Sequence, residues 1–222
     1  MAALVWDATG TREFEMGTKK GVLYPYNLEE NSYDNGVAWN GLTAVTESPS
    51  GAEATDLYAD DIKYASMRSA EDYGITIEAY TYPDEWGQCD GSAEVATGVQ
   101  IGQQDRVMFG FSWVTTIGDD TTSNKGYKLH IAYGLTASPS ERAYTTINDS
   151  PDAITFSWEC ESNPVNVTGH KPTGCITIDS TKANATDLAT LEKKLYGSES
   201  GEPTLPMPDE VITIMKTTGG GG

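Results

Sequence analysis

The clearest feature of this chain is a regular alternation of apolar and polar side chains. Large apolar residues occupy every second position through most of Val107–Ile117, and the same pattern returns in Tyr127–Leu135 and Ala153–Glu161. A period of two residues is typical of a β-strand with one buried face. Because a polar loop, Gly118–Gly126, separates the first two segments, they are predicted to form an antiparallel hairpin.

Shorter segments along the chain share this pattern. The further predicted strands are Leu42–Glu47, Ala54–Tyr58, Ile62–Met67, Gly74–Tyr82, Glu141–Thr145 and Gly174–Ile178. Many short strands separated by turn residues are typical of a sandwich or a barrel. The sequence therefore predicts a mainly β fold, a β-sandwich or half-barrel, with Trp113 and Trp158 in its core.

One segment has the spacing of a helix instead. Leu188, Leu191 and Leu195 recur every three or four positions within residues 185–196, and Gly197 follows as a stop signal. These three leucines are expected to pack the helix on the sheet. Because an amphipathic helix of this length covers only one face or edge, a single α-helix is predicted to flank the β-structure.

Neither a composition shift nor an internal repeat divides the chain, so one domain is predicted over residues 1–218. Its irregular parts are predicted as long loops at about 25–36 and 83–106, a C-terminal arm at 198–218 and, beyond the domain, a flexible glycine tail at 219–222. A short element at 209–215 within the arm is ambiguous. An acid at its start favours a helix, whereas its β-branched residues favour a strand.

The charge of the chain excludes two classes of partner. It has 33 acids and 14 bases, a formal net charge of -19, and residues 47–105 alone hold 13 acids and 2 bases, a net charge of -11. A surface this acidic lacks the basic footprint of a protein that binds duplex nucleic acid or anionic membranes. The sequence contains no apolar run of membrane-spanning length and does not begin like a signal peptide, so no membrane partner is expected.

Residues that carry catalytic or metal chemistry are sparse. His130 is predicted on the polar face of a strand and His170 in a turn, and neither has a second ligand-type residue within four positions. No catalytic sites, metals or cofactors are therefore predicted. Cys89, Cys160 and Cys175 are expected to be reduced thiols, with a bridge between the last two as the alternative.

Two alternative functions remain open from the residues themselves. A jelly-roll glycosidase would use two strand carboxylates, for which Glu78 and Glu159 are the candidates. A monomeric β-sandwich that binds carbohydrate would need an exposed aromatic strip, for which Tyr80, Tyr82 and Trp86 are the candidates. Both alternatives predict a monomer, so oligomeric state separates them from a self-assembling protein.

The order of several segments resembles the major tail protein, or tail tube protein, of long-tailed non-contractile phages that infect Gram-positive bacteria. The segments that carry the resemblance are Gly36–Glu53, Leu57–Tyr64, Ile77–Pro83, Lys128–Gly134, Phe156–Glu159, Thr168–Pro172, Leu188–Gly197 and Leu205–Val211. They span nearly the whole chain in order, although no single motif is diagnostic.

This resemblance implies a structural virion protein without enzymatic activity. Its fold would be tail-tube-like, and six copies would form a ring with a continuous inner β-barrel. Rings would stack around the tape-measure protein, meet tail-tip and tail-terminator proteins, and conduct double-stranded DNA without binding it specifically. The protein would be made in the bacterial host cytoplasm and reside in the phage tail.

The resemblance also gives the acidic region an expected place. Five acids are the candidates to face the lumen of the tube: Glu47, Glu53, Asp56, Asp60 and Asp61. They would repel the phosphate backbone of passing DNA. The alternation fixes the two faces of a strand but not which sheet turns inward, so a position on the outer wall stays open for these acids. The 83–106 segment is expected to contact a neighbouring subunit.

Overall fold

The computed structural model describes residues 3–147, 149 and 152–216, and it is mainly β-structure, as the sequence predicts. The strands are β1 (Phe14–Asn27), β2 (Ser32–Tyr33), β3 (Val37–Trp39), β4 (Leu42–Glu47), β5 (Ser50–Gly51), β6 (Ala54–Ala59), β7 (Ile62–Arg68), β8 (Glu71–Asp72), β9 (Gly74–Ala79), β10 (Ala93–Ala96), β11 (Val99–Ile101), β12 (Phe109–Gly118), β13 (Gly126–Ala137), β14 (Phe156–Ser162) and β15 (Cys175–Asp179). The helices are α1 (Trp86–Cys89), α2 (Ala185–Tyr196) and α3 (Pro208–Met215). The predicted glycine tail lies outside the described residues.

The main sheet is antiparallel and strongly curled. Its strand order is β2-β1-β12-β13-β14-β9-β4, with β3 paired to β1 and β15 paired to β13. The curl brings β1 and β4 into contact, although they lie far apart in this order. A Cβ atom at Gly21 of β1 would lie 3.2 Å from Cδ2 of Leu42 in β4, so a glycine permits this close approach. The result is a half-barrel.

The concave side of the sheet encloses an aromatic core. Trp86 contacts Trp39, Phe109 and Trp158, with ring centroids 4.7, 4.9 and 5.3 Å away, and Phe111 packs on Trp39 at 5.6 Å. Most of these ring pairs meet edge to face, the arrangement that aromatic quadrupoles favour. Burial of each such side chain contributes about 1.5–3 kcal/mol to the free energy of unfolding. Trp113 and Trp158 lie in this core, as predicted.

The convex side of β1, β12, β13 and β15 is covered by α2 and α3. Leu188, Leu191 and Leu195 are buried there together with residues of the sheet. The side chain of Asn184 accepts hydrogen bonds from the backbone N–H groups at the first turn of α2 and so caps the helix. The hydroxyl of Tyr24 donates to the carbonyl of Leu195 at 2.7 Å, which ties the end of α2 to β1.

Because helices cover the convex side, β12 and β13 are buried on both faces rather than on one. Gly110 of β12 lies beneath this cover, since a Cβ atom there would lie 2.2 Å from Cδ2 of Leu205. A bulge near Gly134, which has a φ of 60°, adds one residue to β13. As a result Leu135 joins the concave core, whereas the simple alternation placed it on the same face as Leu129.

His130 also departs from its predicted open position. It is buried, its ring stacks on Trp113 at 4.9 Å, and its ring nitrogens contact the hydroxyls of Thr115 and Thr177 at 3.0 and 3.3 Å. Burial lowers the pKa of this imidazole, because charging it away from water is costly.

Three irregular segments contain more structure than their sequence indicates. Residues 83–106 form α1 and the β10–β11 hairpin, and residues 25–36 contain the end of β1 and β2. The element in the C-terminal arm is the helix α3, which begins at Pro208 with two acids in its first turn. Pro at the first helical position and acids near the positive end of the helix dipole outweigh the β-branched residues.

Two further differences from the prediction concern whole strands. The predicted strand Glu141–Thr145 is not formed, and these residues are exposed and without regular structure. Strand β1 was not predicted, because Gly17, Lys19 and Lys20 break the alternation at two register shifts.

The three cysteines are free thiols, so the alternative bridge is absent. Within the described residues, no helix is long and apolar enough to cross a membrane.

Candidate assembly surfaces

A two-stranded hairpin, residues 54–68, projects from the sheet between β4 and β9. Its strands β6 and β7 pair only with each other among the strands that the structure describes. Asp60 and Asp61 form the turn, with φ angles of 51° and 62°. Positive φ at both central positions is the geometry of a type I′ turn, which matches the natural twist of two paired strands. We call residues 54–68 the projecting hairpin.

The projecting hairpin has one apolar and one polar face. The cross-strand pairs on the apolar face are Thr55 with Met67, Leu57 with Ala65, and Ala59 with Ile62. Those on the polar face are Ala54 with Arg68, Asp56 with Ser66, and Tyr58 with Lys63. Leu57, Ile62 and Met67 are 41%, 64% and 57% exposed, so this apolar face is open to solvent.

This apolar face is not explained by the fold of the single chain. A two-stranded hairpin is marginally stable in water by itself, and it normally gains stability by packing a hydrophobic face on another layer. Here no residue of β6 or β7 belongs to either described core cluster. Contiguous exposed apolar surface of this kind is typical of a protein interface.

The polar face is organised by one ion pair. Nζ of Lys63 lies 2.7 Å from Oδ1 of Asp56. Hydrogen bonds from Lys63 and then Ser66 lower the pKa of the Asp56 carboxyl. An exposed pair of this kind contributes little to folding stability, but it keeps charged side chains on the face opposite Leu57.

The five acids predicted to face a lumen follow one another along this part of the chain without forming one cluster. Asp56, Asp60 and Asp61 lie on the projecting hairpin, Glu53 immediately precedes it, and Glu47 ends β4. Glu47 accepts a hydrogen bond from the hydroxyl of Tyr73 at 2.9 Å. Burial is the main cause that raises the pKa of Tyr73.

A second open surface is the convex face of β4, β9 and β14. Side chains adjacent in register form two rows across these strands: Ala44, Glu78 and Ser157, then Thr46, Thr76 and Glu159. No residue of these three strands belongs to the described cluster beneath α2 and α3. The half-barrel thus has a helix-covered apolar half and an open half of small polar and acidic side chains.

These positions bear on the two monomeric alternatives. Glu78 and Glu159 are diagonal neighbours on an open, polar sheet face rather than in an aromatic cleft. Of the predicted aromatic strip, only Tyr80 is exposed. Tyr82 packs edge to face on Trp158 at 5.5 Å, and Trp86 is fully buried, so the strip is not formed.

A third surface is a groove between β15 and α3, with a volume of about 490 Å³. Its apolar walls are formed mainly by Val167, Ile176, Ile178, Ile212 and Met215. His170 and Lys171 stand at its rim, and Lys216 directly follows Met215. Among the described residues, neither lysine forms an ion pair, although the chain has more than twice as many acids as bases. We call this the β15–α3 groove.

Sequence reasoning did not single out Leu57, Ile62 and Met67 as an interface. The signal was present, because β6 alternates cleanly and Asp60-Asp61 is a two-residue turn. The bulge between the Leu57 and Tyr58 pairs shifts β7 by one residue, so the shared apolar face is visible only from the register.

Within residues 3–147, 149 and 152–216, no group of three or more His, Cys, Asp or Glu side chains could hold a metal ion.

Comparisons with known proteins return limited similarity. No protein-family model matches the chain, and no curated protein matches it. Among solved structures, the chain is similar to a chain of an extracellular contractile injection system, the PVC sheath-tube complex in its extended state. That match has 10% sequence identity and a TM-score of 0.33, and it covers 79% of this chain and 94% of the other. A TM-score of this size does not establish a shared function.

Proposed function

We propose that this chain is the tail tube subunit of a long-tailed phage, a structural protein that forms stacked hexameric rings and has no enzymatic activity. The observation that carries the proposal is the apolar face of the projecting hairpin. A monomer gains nothing from exposing Leu57, Ile62 and Met67, whereas a subunit buries them against a neighbour. The resemblance of the segment order to phage tail tube proteins supports the same conclusion.

The distribution of charge supports a lumen on the side of the open polar face. This face bears Glu78 and Glu159, and the polar face of the projecting hairpin bears Asp56. In a ring, the open polar face would line a channel that repels phosphate. Double-stranded DNA would then pass without specific binding, the reverse of the basic clamp that DNA-binding proteins use. In this arrangement, some of the five predicted acids face the lumen.

The remaining partners follow from the same role. A hollow tube of defined length requires a tape-measure protein inside it during assembly, and tail-tip and tail-terminator proteins at its two ends. The helices α2 and α3 would form the outer wall, because they cover the convex side of β1, β12, β13 and β15, the half of the sheet that does not include the open polar face. The protein would function in the virion.

The test is the mass of the particles that the purified protein forms. High salt should promote association, because the Debye length falls to about 3 Å at 1 M and the repulsion between acidic subunits is screened. Mass photometry at rising concentration, in 0.15 M and 1 M salt, is expected to show species at six subunits and multiples of six. A monomer under all these conditions, also with tail-tip proteins added, would reject the proposal.

A further inference from the structure

We infer that the apolar face of the projecting hairpin of one copy docks in the β15–α3 groove of the next copy. The inference rests on the proposed self-assembly and specifies the two surfaces that meet. Both surfaces are apolar, both are open in the single chain, and they lie on different elements. The occupant of the groove is thus a second copy of this chain.

The strands of the projecting hairpin and strand β15 beside the groove have similar lengths. Each strand of the projecting hairpin has six or seven residues, which corresponds to a length of roughly 20 Å. The groove runs beside β15, which is bonded to β13 alone among the described strands and therefore has one free edge. Ile62 and Met67 of the hairpin match the aliphatic and thioether side chains of the groove, Ile176, Ile212 and Met215.

The charges of the two surfaces are complementary. Asp60 and Asp61 project at the tip of the hairpin and form no ion pair among the described residues. Lys171 stands at the rim of the groove and Lys216 follows Met215 of its wall, and neither lysine has a carboxylate partner in the described part of the chain. In a chain of net charge -19, most surfaces of two copies repel each other, so an apolar groove between unpaired lysines selects the acidic tip.

This contact has a consequence for symmetry. A hairpin and a groove are different surfaces, so their contact is heterologous rather than a two-fold pairing of identical patches. Each copy offers one hairpin and one groove, and the chain of contacts continues until the rotation closes a ring. A heterologous contact is the kind that a cyclic hexamer requires.

The first experiment uses two complementary variants of the full chain. The hairpin variant is Leu57→Ser with Met67→Ser, and its control is Tyr58→Ser on the polar face, which removes a larger exposed side chain. The groove variant is Ile212→Asp, which lies in the groove wall but outside the described core cluster. Its control is Thr213→Asp, an exposed position one residue along the same helix. Circular dichroism and thermal unfolding confirm that all four proteins are folded.

In 1 M salt, each interface variant alone is expected to associate about tenfold to hundredfold more weakly than wild type, whereas both controls assemble normally. An equimolar mixture of the two interface variants is expected to form dimers and nothing larger. In such a mixture, the intact hairpin of the groove variant fits the intact groove of the hairpin variant, but the pair cannot be extended. Sedimentation velocity separates these species.

The alternative outcomes are distinct. If wild type and the Ile212→Asp variant assemble equally well, the groove does not receive the hairpin, but the proposed tube function stands. If the mixture gives no dimer, the intact hairpin of one variant does not bind the intact groove of the other, and the inference is wrong. If wild type itself never associates, the inference and the proposed function fail together.

A charge exchange tests the orientation of the contact. In 0.15 M salt, Asp61→Lys and Lys171→Glu should each weaken association by about tenfold, since each places like charges at the tip and the rim. The double variant should recover most of the wild-type association. Additive losses in the double variant would show that these two residues do not meet.

Discussion

Residues 48–73 and 80–108 both leave the main sheet and return to it, both carry several acids, and they behave in opposite ways. The second segment folds back, because Trp86 and Cys89 are fully buried in the concave core and Nη1 of Arg106 donates to the carbonyl of Ala137 at 2.7 Å. The first segment has no buried side chain and projects as the hairpin. The buried side chain of Trp86 therefore distinguishes the acidic segment that packs on its own domain from the acidic segment that projects into solvent.

Apolar residues serve two different purposes in this chain. In the core, large side chains make edge-to-face contacts and are withdrawn from water. On the projecting hairpin, side chains of similar hydrophobicity are held in register by a type I′ turn but remain in water. The core determines folding stability, and the hairpin is expected to determine association.

Removing the anchor of the second segment should give the largest effect. We expect Trp86→Ala to lower the free energy of unfolding by about 3–5 kcal/mol, because it leaves a large cavity among Trp39, Phe109 and Trp158. Urea unfolding followed by circular dichroism measures the loss. The control is Trp6→Ala, which removes a tryptophan that is 76% exposed and should change stability by less than about 0.5 kcal/mol. Equal losses in both would show that Trp86 is not an anchor.

A backbone constraint should give the next largest effect. Gly134 has a φ of 60°, and a Cβ atom there would lie 2.2 Å from the carbonyl oxygen of Asn163. We expect Gly134→Ala to cost about 2–5 kcal/mol, since it adds a backbone clash to left-handed strain. Gly98, at the exposed β10–β11 turn, has a φ of 75° and open space around it. Gly98→Ala should therefore cost only about 1–2 kcal/mol. A Gly134 variant as stable as the Gly98 variant would argue against the bulge.

The sequence predicts the concave core better than it predicts the helices that bury the convex face. Alternation identified β12, β13 and β14, because long strands with aromatic residues on one face give a strong period of two. It could not show that α3 and Leu205 bury the opposite face, since that depends on residues nearly 100 positions away. Strand β1 escaped prediction because its bulges conceal the pattern. The apolar face that the two hairpin strands share could be recognised only from the strand register, because a bulge shifts β7 by one residue.

The buried imidazole of His130 should make the stability of the fold depend on pH. Burial lowers the pKa of His130 in the folded state below its ordinary value of 6.5, so the unfolded chain binds a proton more readily. The stability present above pH 6.5 is therefore lost as the pH falls through the folded-state pKa. Urea unfolding at several pH values should show this loss in wild type, and His130→Gln should flatten the curve between pH 6.5 and 5. An unchanged curve in the variant would show that His130 does not titrate on unfolding.

The smallest effect on folding is expected where the effect on assembly is greatest. Leu57→Ser with Met67→Ser changes two exposed side chains outside the described core, so the free energy of unfolding of the monomer should change by no more than about 0.5 kcal/mol. A loss of several kcal/mol would mean that the hairpin packs on its own domain in solution. Residues 48–73 would then pack on their own domain in the same way as residues 80–108.

A tube-forming role can be seen directly by electron microscopy of the wild-type protein at rising concentration in 1 M salt. We expect hollow rings or stacked tubes with six-fold end views, which the hairpin variant fails to form and the Tyr58→Ser control retains. Solid aggregates, closed dimers or isolated monomers in every condition would contradict a tube-forming role for this chain.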